Sequence, residues 1–520
     1  MNKTISKTRL LLAPMVAVVL LLLTATAFAA APGITGPTFN LTAQPAFITQ
    51  PDGSMVYSWG YGCSAAPSGF APAAVAGATC SNMQVPGPTL IVTQDQPVSV
   101  TLTNNLPGAA GNTSILFPGF NVTATGGVAG LLTREAIPGG TVTYTFTATT
   151  PGTRSYYSGT QGDLQVEMGL YGAIIVVPSA IPAACTAGVH ASNLVAQQAN
   201  PLVHPVAESN FRLAAAAYNH PEACYDREYL FQFSEIDPRI HRQAEEQSTR
   251  TCTGCMNVAT EPYVPAFFMI NGRSMPDDMD SNYAPQYPHQ PYNGNPHMHP
   301  GELVLLRIVG QGRWQHPFHE HGNHVRVLAR DGNLIQSTTD PANNLAGPLL
   351  FTTTTTPGQA MDGIFYWTGK GLNWDPYGHA DAVTAATCVP DANGYNTSAP
   401  TAINYFEWCQ DHNKPLQATP NGSVGGGGPV TLPDPNILAN GAWFGGSPYL
   451  GPEATVRAVG STGTTPPSGT VANSPTDEAG FAFMWHSHNE REITTNNIFP
   501  GGMMMMMLVD SREFVIDESN

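Results

Sequence analysis

An all-β chain of two sandwiches in series is what the sequence predicts. Three observations point there. Apolar residues recur at period two in several short runs. Glycine (52) and proline (46) are abundant enough to supply a turn after nearly every run, yet too few for a low-complexity chain. The 520 residues exceed one ordinary core, and with charged residues at 11% against 42% hydrophobic the chain is folded rather than disordered.

The elements follow in order. Lys3, Lys7 and Arg9, the apolar run Leu10 to Leu23 and the small-residue stretch Ala27-Phe28-Ala29 have the pattern of an export signal over residues 1–29. An uncleaved membrane anchor is the alternative, since the apolar run nearly reaches bilayer length. No later segment is apolar enough to span. The mature protein is then expected in the periplasm or outside the cell. Losing the signal takes the formal net charge from −17 to about −20. Such a surface repels nucleic acid and anionic lipid, which excludes a DNA-binding role.

Residues 33–180 read as the first sandwich. Val98, Val100 and Leu102 alternate with Ser99, Thr101 and Thr103, and Val142, Tyr144 and Phe146 alternate with threonines. Pro86-Gly87-Pro88 and Ile137-Pro138-Gly139-Gly140 are the turns before them, and Gly169 to Val177 is a buried closing strand. A linking segment over 181–262 holds a short helix at Leu213 to Tyr218 and a strand at Glu228 to Ile236. The second sandwich, 263–515, has strands at Leu303 to Val309, His324 to Ala329, Ile364 to Trp367, Phe481 to Trp485 and Met503 to Val509. A Gly-, Pro-, Asn- and Thr-rich insertion occupies about 370–478. Its Gly425 to Gly428 run lacks the Lys-Ser/Thr of a phosphate loop and reads as a flexible loop.

Eight cysteines all follow the signal, and an even count in an exported chain favours disulfides. Chain neighbours suggest Cys63–Cys80, Cys185–Cys224 and Cys388–Cys409. Cys252 and Cys255 form either a fourth local disulfide, the favoured reading, or a redox or metal pair.

The fifteen histidines cluster: His297/His299, His319/His321 and His486/His488 are His-x-His pairs. On a strand, residues i and i+2 leave the same face, so each such pair can clamp one metal or reach two. Imidazole suits copper, zinc, iron or nickel. A single buried histidine is usually a satisfied core residue; two pairs on strands are not explained that way. His297 and His299 lie in a Pro/Asn-rich stretch and read as an exposed turn, with a metal-ligand pair as the alternative.

His316-Pro317-Phe318-His319-Glu320-His321-Gly322 resembles the His-Pro-x-His-x-His-Gly motif of the multicopper oxidases, the laccase family. Trp485-His486-Ser487-His488, with Gly502-Met503, resembles that family's closing His-Cys-His…Gly-Met segment. Pro86-Gly87-Pro88-Thr89 to Thr103-Asn104-Asn105-Leu106-Pro107, then Gly169-Leu170-Tyr171-Gly172-Ala173, is similar to its first cupredoxin domain. The resemblance implies two cupredoxin-like Greek-key β-sandwich domains, the second with the long loop-rich insertion, and copper as cofactor.

The departures reshape the expected function. The resemblance implies eight histidines around a three-copper cluster, four of them from the first domain; here Leu116, Pro118, Tyr157 and Gly159 stand in those places. The remaining four are His319, His321, His486 and His488. A blue copper site needs two histidines and a cysteine thiolate. His316 matches one ligand, Ser487 replaces the cysteine and Glu492 falls where the second histidine belongs. The expected metal ligands are therefore His319, His321, His486 and His488, with His316 as a fifth ligand or a neighbour and Glu492, Glu320 or Glu490 adding carboxylate. Copper is the expected ion, with zinc or manganese as alternatives. In Met503 to Met507, thioethers suit Cu(I), but an adaptable buried strand is the favoured reading.

Three functions fit: an exported copper binder without four-electron reduction of O2; an altered copper oxidoreductase acting on a metal ion or a small phenol; and a scaffold stapled by metal. The metal ion is the expected partner, and an oligomer and a redox partner stay open.

Overall fold

The computed structural model describes residues 30–197, 207–340, 342, 344–370, 390–397, 400–401, 405–406, 408, 410, 446–449, 480–510, 512 and 515–517. The signal segment, Cys388 and Cys409, Gly425 to Gly428 and most of the 370–478 insertion lie outside these residues.

The fold is all-β, two cupredoxin sandwiches. In the first, one sheet runs Gly152–Tyr157, Tyr171–Val177, Leu90–Thr93, Gly33–Thr35, Phe70–Ala71. The facing sheet runs Met55–Cys63, Thr38–Thr49, Pro97–Asn104, Thr141–Thr147, Thr123–Gly126. The alternation fixes the register. Val98, Val100 and Leu102 lie opposite Phe146, Tyr144 and Val142, all buried in one core. On the other face Thr101 and Thr143 share a 2.9 Å hydrogen bond. A one-residue slip would turn every apolar side chain outward.

The second sandwich has a seven-stranded sheet, Phe267–Ile270, Arg227–Ile236, Leu303–Gly310, Ala360–Tyr366, Val325–Arg330, Asn333–Leu334, with Leu349–Leu350 also on Val325–Arg330. Its six-stranded partner runs His297–Met298, Met504–Asp510, Gly480–Ser487, His316–Glu320, Thr352–Thr355, with Gly446–Tyr449 also on Gly480–Ser487. The strand Arg227–Ile236, which the sequence reading leaves in the linking segment, sits inside the seven-stranded sheet. All ten of its residues are buried, with Tyr229, Phe231 and Phe233 turned into the core of the second sandwich.

Two sequence expectations are corrected. Leu213 to Tyr218 is not helical; it is an irregular stretch held by a bridge from Ala216 to Cys224. Helices lie instead at Gly188–Ala196 and Pro238–Gln247, the latter started by Asp237, whose carboxylate accepts from the Arg239 amide, and by Pro238 at its first position. His297 and His299 are not exposed. Both are buried, His297 against Asp510 and His299 against Glu208 at 2.6 Å, because His297–Met298 pairs alongside the strand Met504–Asp510. Cys63–Cys80, Cys185–Cys224 and Cys252–Cys255 are disulfides. Among the described residues no helix is long and apolar enough to cross a membrane.

The sandwiches meet through buried polar groups. Asp362 accepts from the Thr153 hydroxyl (2.6 Å) and amide (3.1 Å), and from Tyr218. Arg307 reaches it at 3.7 Å while donating to Glu228. Removing one carboxylate here strands several buried donors. We expect Asp362→Ala to lower unfolding stability by about 2 kcal/mol. Chemical denaturation checks this, and an unchanged midpoint would refute the interface role.

Candidate metal centre

The site grows from three adjacent strands. In His316–Glu320 and Gly480–Ser487, His319 pairs with His486, Glu320 with Trp485 and Phe318 with Ser487. Cross-strand partners share a face. Phe318 and Trp485 belong to the core, which places Glu320 and Ser487 on the inner face and His319 and His486 on the outer one. His321 and His488 follow by the two-residue repeat just past the strand ends.

Four imidazoles therefore gather outside the core. Ring centroids are 4.8 Å apart for His319–His321, 5.6 Å for His319–His486, 4.9 Å for His319–His488 and 5.3 Å for His321–His486. One ring nitrogen from each of His319, His321 and His486 lies within 4.8 Å of the others. Those three are buried, whereas the His488 side chain is 47% exposed and closes the cluster from the solvent side. Two nitrogens bound at about 2 Å to one ion can be no more than about 4 Å apart, so an ion would draw the rings slightly together. Burial, with the neighbouring His488, holds His486 below the ordinary imidazole range, against a bond to the Ser487 carbonyl. A neutral imidazole is the form that binds metal.

Neighbours orient the rings. The Thr352 hydroxyl lies 2.8 Å from His319 Nδ1, and the Ser487 carbonyl 2.8 Å from His486 Nδ1. Sequence reasoning missed Thr352, although a run of five threonines, 352–356, was there as a signal. That strand serves both faces: Thr352 meets His319, Thr353 donates to Glu320 and the Thr355 hydroxyl accepts from the His316 amide. Partners of this kind set ring orientation and are worth roughly 10–100-fold in metal affinity. We expect Thr352→Val to weaken Cu(II) binding by about that factor, measured by competition with a chelator.

The structure does not bring His316 to the four histidines. Three residues before His319, it leaves the opposite face. Its Nδ1 donates to Glu492 Oε2 at 2.9 Å and its Nε2 to Glu235 Oε2 at 3.0 Å, all fully buried. Burial alone would push His316 down, but the two carboxylates outweigh it and hold it at about 9. Ser487 donates to the same Glu492 oxygen, and Asn489 Nδ2 to the other at 2.8 Å. Glu235 also accepts from the Arg313 and Trp314 amides. Glu235 was missed because it lies 81 residues from His316 in the chain. Glu320 faces the core too; burial raises it to about 8, against a bond from Thr353. Glu490 stays exposed, 3.9 Å from His488.

The first sandwich offers no ligand at the places where the resemblance requires four. Leu116 and Tyr157 are backbone partners across a bridge. At Gly159 a Cβ would meet the Leu116 side chain at 2.8 Å, so leucine fills the space a longer residue would need.

Two sandwiches with histidine pairs on adjacent strands of the second define a cupredoxin-type protein with a candidate metal site. Two multicopper oxidase family models match, one over residues 69–180 and the other over residues 259–363. Each sandwich thus contains a segment similar to multicopper oxidase domains. Among solved structures it is similar to the multicopper oxidase mgLAC, at 15% identity over 92% of this chain and 88% of that one, TM-score 0.44. It is also similar to the blue copper oxidase from Nitrosomonas europaea, at 14% identity over 90% and 85%, TM-score 0.43. The copper nitrite reductase from the same organism follows at 18% identity over 64% and 85%, TM-score 0.36. No curated protein matches the chain.

Proposed function

We propose that this is an exported copper-binding protein that holds one copper ion through His319, His321, His486 and His488 and does not reduce O2 to water. The gathering of four imidazoles on the outer face of two paired strands carries the reading. The donor set fits copper: imidazole nitrogens, at least one held neutral, oriented by Thr352 and by the Ser487 carbonyl. It does not fit a three-copper cluster, since Leu116, Pro118, Tyr157 and Gly159 bring no ligand of the kind required. Nor does the His316–Ser487–Glu492 position fit a blue copper, for want of a thiolate. Bound copper would supply Lewis acidity or one-electron redox chemistry at a site open to solvent at His488.

Copper content and the EPR spectrum of copper-loaded protein test this. One copper per chain, nitrogen-coordinated and without intense blue colour, is the expected result. Three or more coppers with a blue band would overturn it, and preferential retention of zinc or manganese would overturn the choice of metal.

A second reading, an altered copper oxidoreductase, is favoured by one observation. Phe351, 39% exposed, stands against His319 (5.8 Å) and His324 (5.1 Å), and Leu349 beside it is 65% exposed. That is an apolar rim on which a phenol could rest. Turnover of a small phenol by copper-loaded wild type, lost in Phe351→Ala, would select this reading over passive binding.

A further inference from the structure

The methionine run 503–507 has two faces, and only one is accounted for by packing. Met503, Met505 and Met507 are fully buried in the core with Phe481, Phe483 and Trp485. Met504 and Met506 are not part of that core. They point to the other face of the sheet, where the register sets Met504 opposite His486 and Met506 opposite Met484. Cross-strand partners on one face have Cβ atoms about 4.5–5.5 Å apart. The result is a two-by-two patch of three thioethers and one imidazole.

The patch lies in a strip that is closed to solvent at one end and half-open along the rest. Ala482, Met484, Met506 and Leu508 are partly accessible, while Met504 and His486 at the end of the row are 6% exposed. A fourth sulfur borders the strand, for the Met506 amide donates to Met279 Sδ at 3.4 Å. An antiparallel strand with one face in the core usually turns polar residues the other way. Three methionines there, running up to a histidine of the metal cluster, are not what packing requires.

We propose that Met484, Met504 and Met506 form a thioether site for a soft monovalent cation, Cu(I), that adjoins the histidine cluster through His486. Thioether sulfur favours Cu(I), and imidazole accepts either oxidation state. The row gives Cu(I) a place to bind beside the nitrogen site, with His486 common to both. This rests on the copper reading above for its role, not for its binding chemistry.

The test titrates full-length protein with Ag(I), a redox-inert probe of thioether sites, and under anaerobic conditions with Cu(I) presented by a competing chelator. Met484→Leu/Met504→Leu/Met506→Leu is compared with the inward control Met505→Leu. Leucine for methionine is a swap of similar volume that folds tolerate. The outer triple variant is expected to lose one Ag(I) equivalent, or to bind Cu(I) at least tenfold more weakly, with Cu(II) uptake by the histidines kept. The control should bind as wild type does. Unchanged Ag(I) and Cu(I) binding in the triple variant overturns the proposal, as does an equal loss in the control or no Ag(I) binding by wild type. If wild type takes up Ag(I) through the outer methionines yet binds no Cu(II), the histidine reading fails and this one stands.

Discussion

Glu235→Gln is expected to lower unfolding stability by about 3 kcal/mol at pH 6 and by much less above pH 9. The substitution is close to isosteric, so packing and the amide bonds from Arg313 and Trp314 survive. What goes is one of two carboxylates flanking a fully buried imidazolium. A buried charge that loses a partner is costly, because no water replaces it. The pH dependence gives the specific signature. His316 titrates at about 9 in the fold and near 6.5 when exposed. A raised folded value means stabilisation that is fully present below about 6.5 and lost as pH rises through about 9. The gap between wild type and variant should therefore narrow across that window. Denaturant titrations of both proteins from pH 6 to 10 measure it. General repulsion in an acidic chain affects both alike and cancels in the difference. A gap that stays constant with pH would mean that His316 is neutral in the fold.

Parity accounts for how much of this was legible beforehand. The alternation at Val98 to Leu102 and Val142 to Phe146 placed two strands and their buried faces, since one face is solvated and period two shows. Arg227–Ile236 was legible as a strand too, but not its place: it pairs in parallel with Leu303–Gly310, and sheet membership does not show in a strand's own residues. The same rule already separated the histidines: 319 and 321 leave one face, 316 the other. Read with parity, the motif holds two sites rather than one five-ligand site. Glu235 and Thr352 come from strands far off in the chain and become neighbours only through sheet order, which a single sequence does not display. His297 and His299 were misjudged for a related reason. Their Pro/Asn-rich setting has turn composition, and only the strand Met504–Asp510, with Glu208 arriving from elsewhere, turns that stretch into a buried edge.

Ser487→Cys/Glu492→His is expected to create a copper site with the intense colour of a copper–thiolate bond. His316, Ser487 and Glu492 already meet on the inner face: His316 Nδ1 lies 2.9 Å from Glu492, and Ser487 donates to the same oxygen. Two imidazoles and a thiolate would then converge where one imidazolium and a carboxylate now sit, and that donor set is the one blue copper needs. Glu235 would remain on Nε2 of His316, fixing the ring and leaving Nδ1 turned toward the metal. Single changes should fail in different ways. Ser487→Cys alone puts a thiol beside a carboxylate and a charged imidazolium, with one nitrogen ligand too few. Glu492→His alone removes the charge partner and supplies no sulfur, so it should cost stability without colour. Absorption and EPR spectra of the copper-loaded variants decide the matter. A colourless double variant with unchanged copper content would show that the inner cluster has lost the shape of a metal site as well as its ligands. A blue one would show that two side chains separate this ion cluster from a blue copper centre.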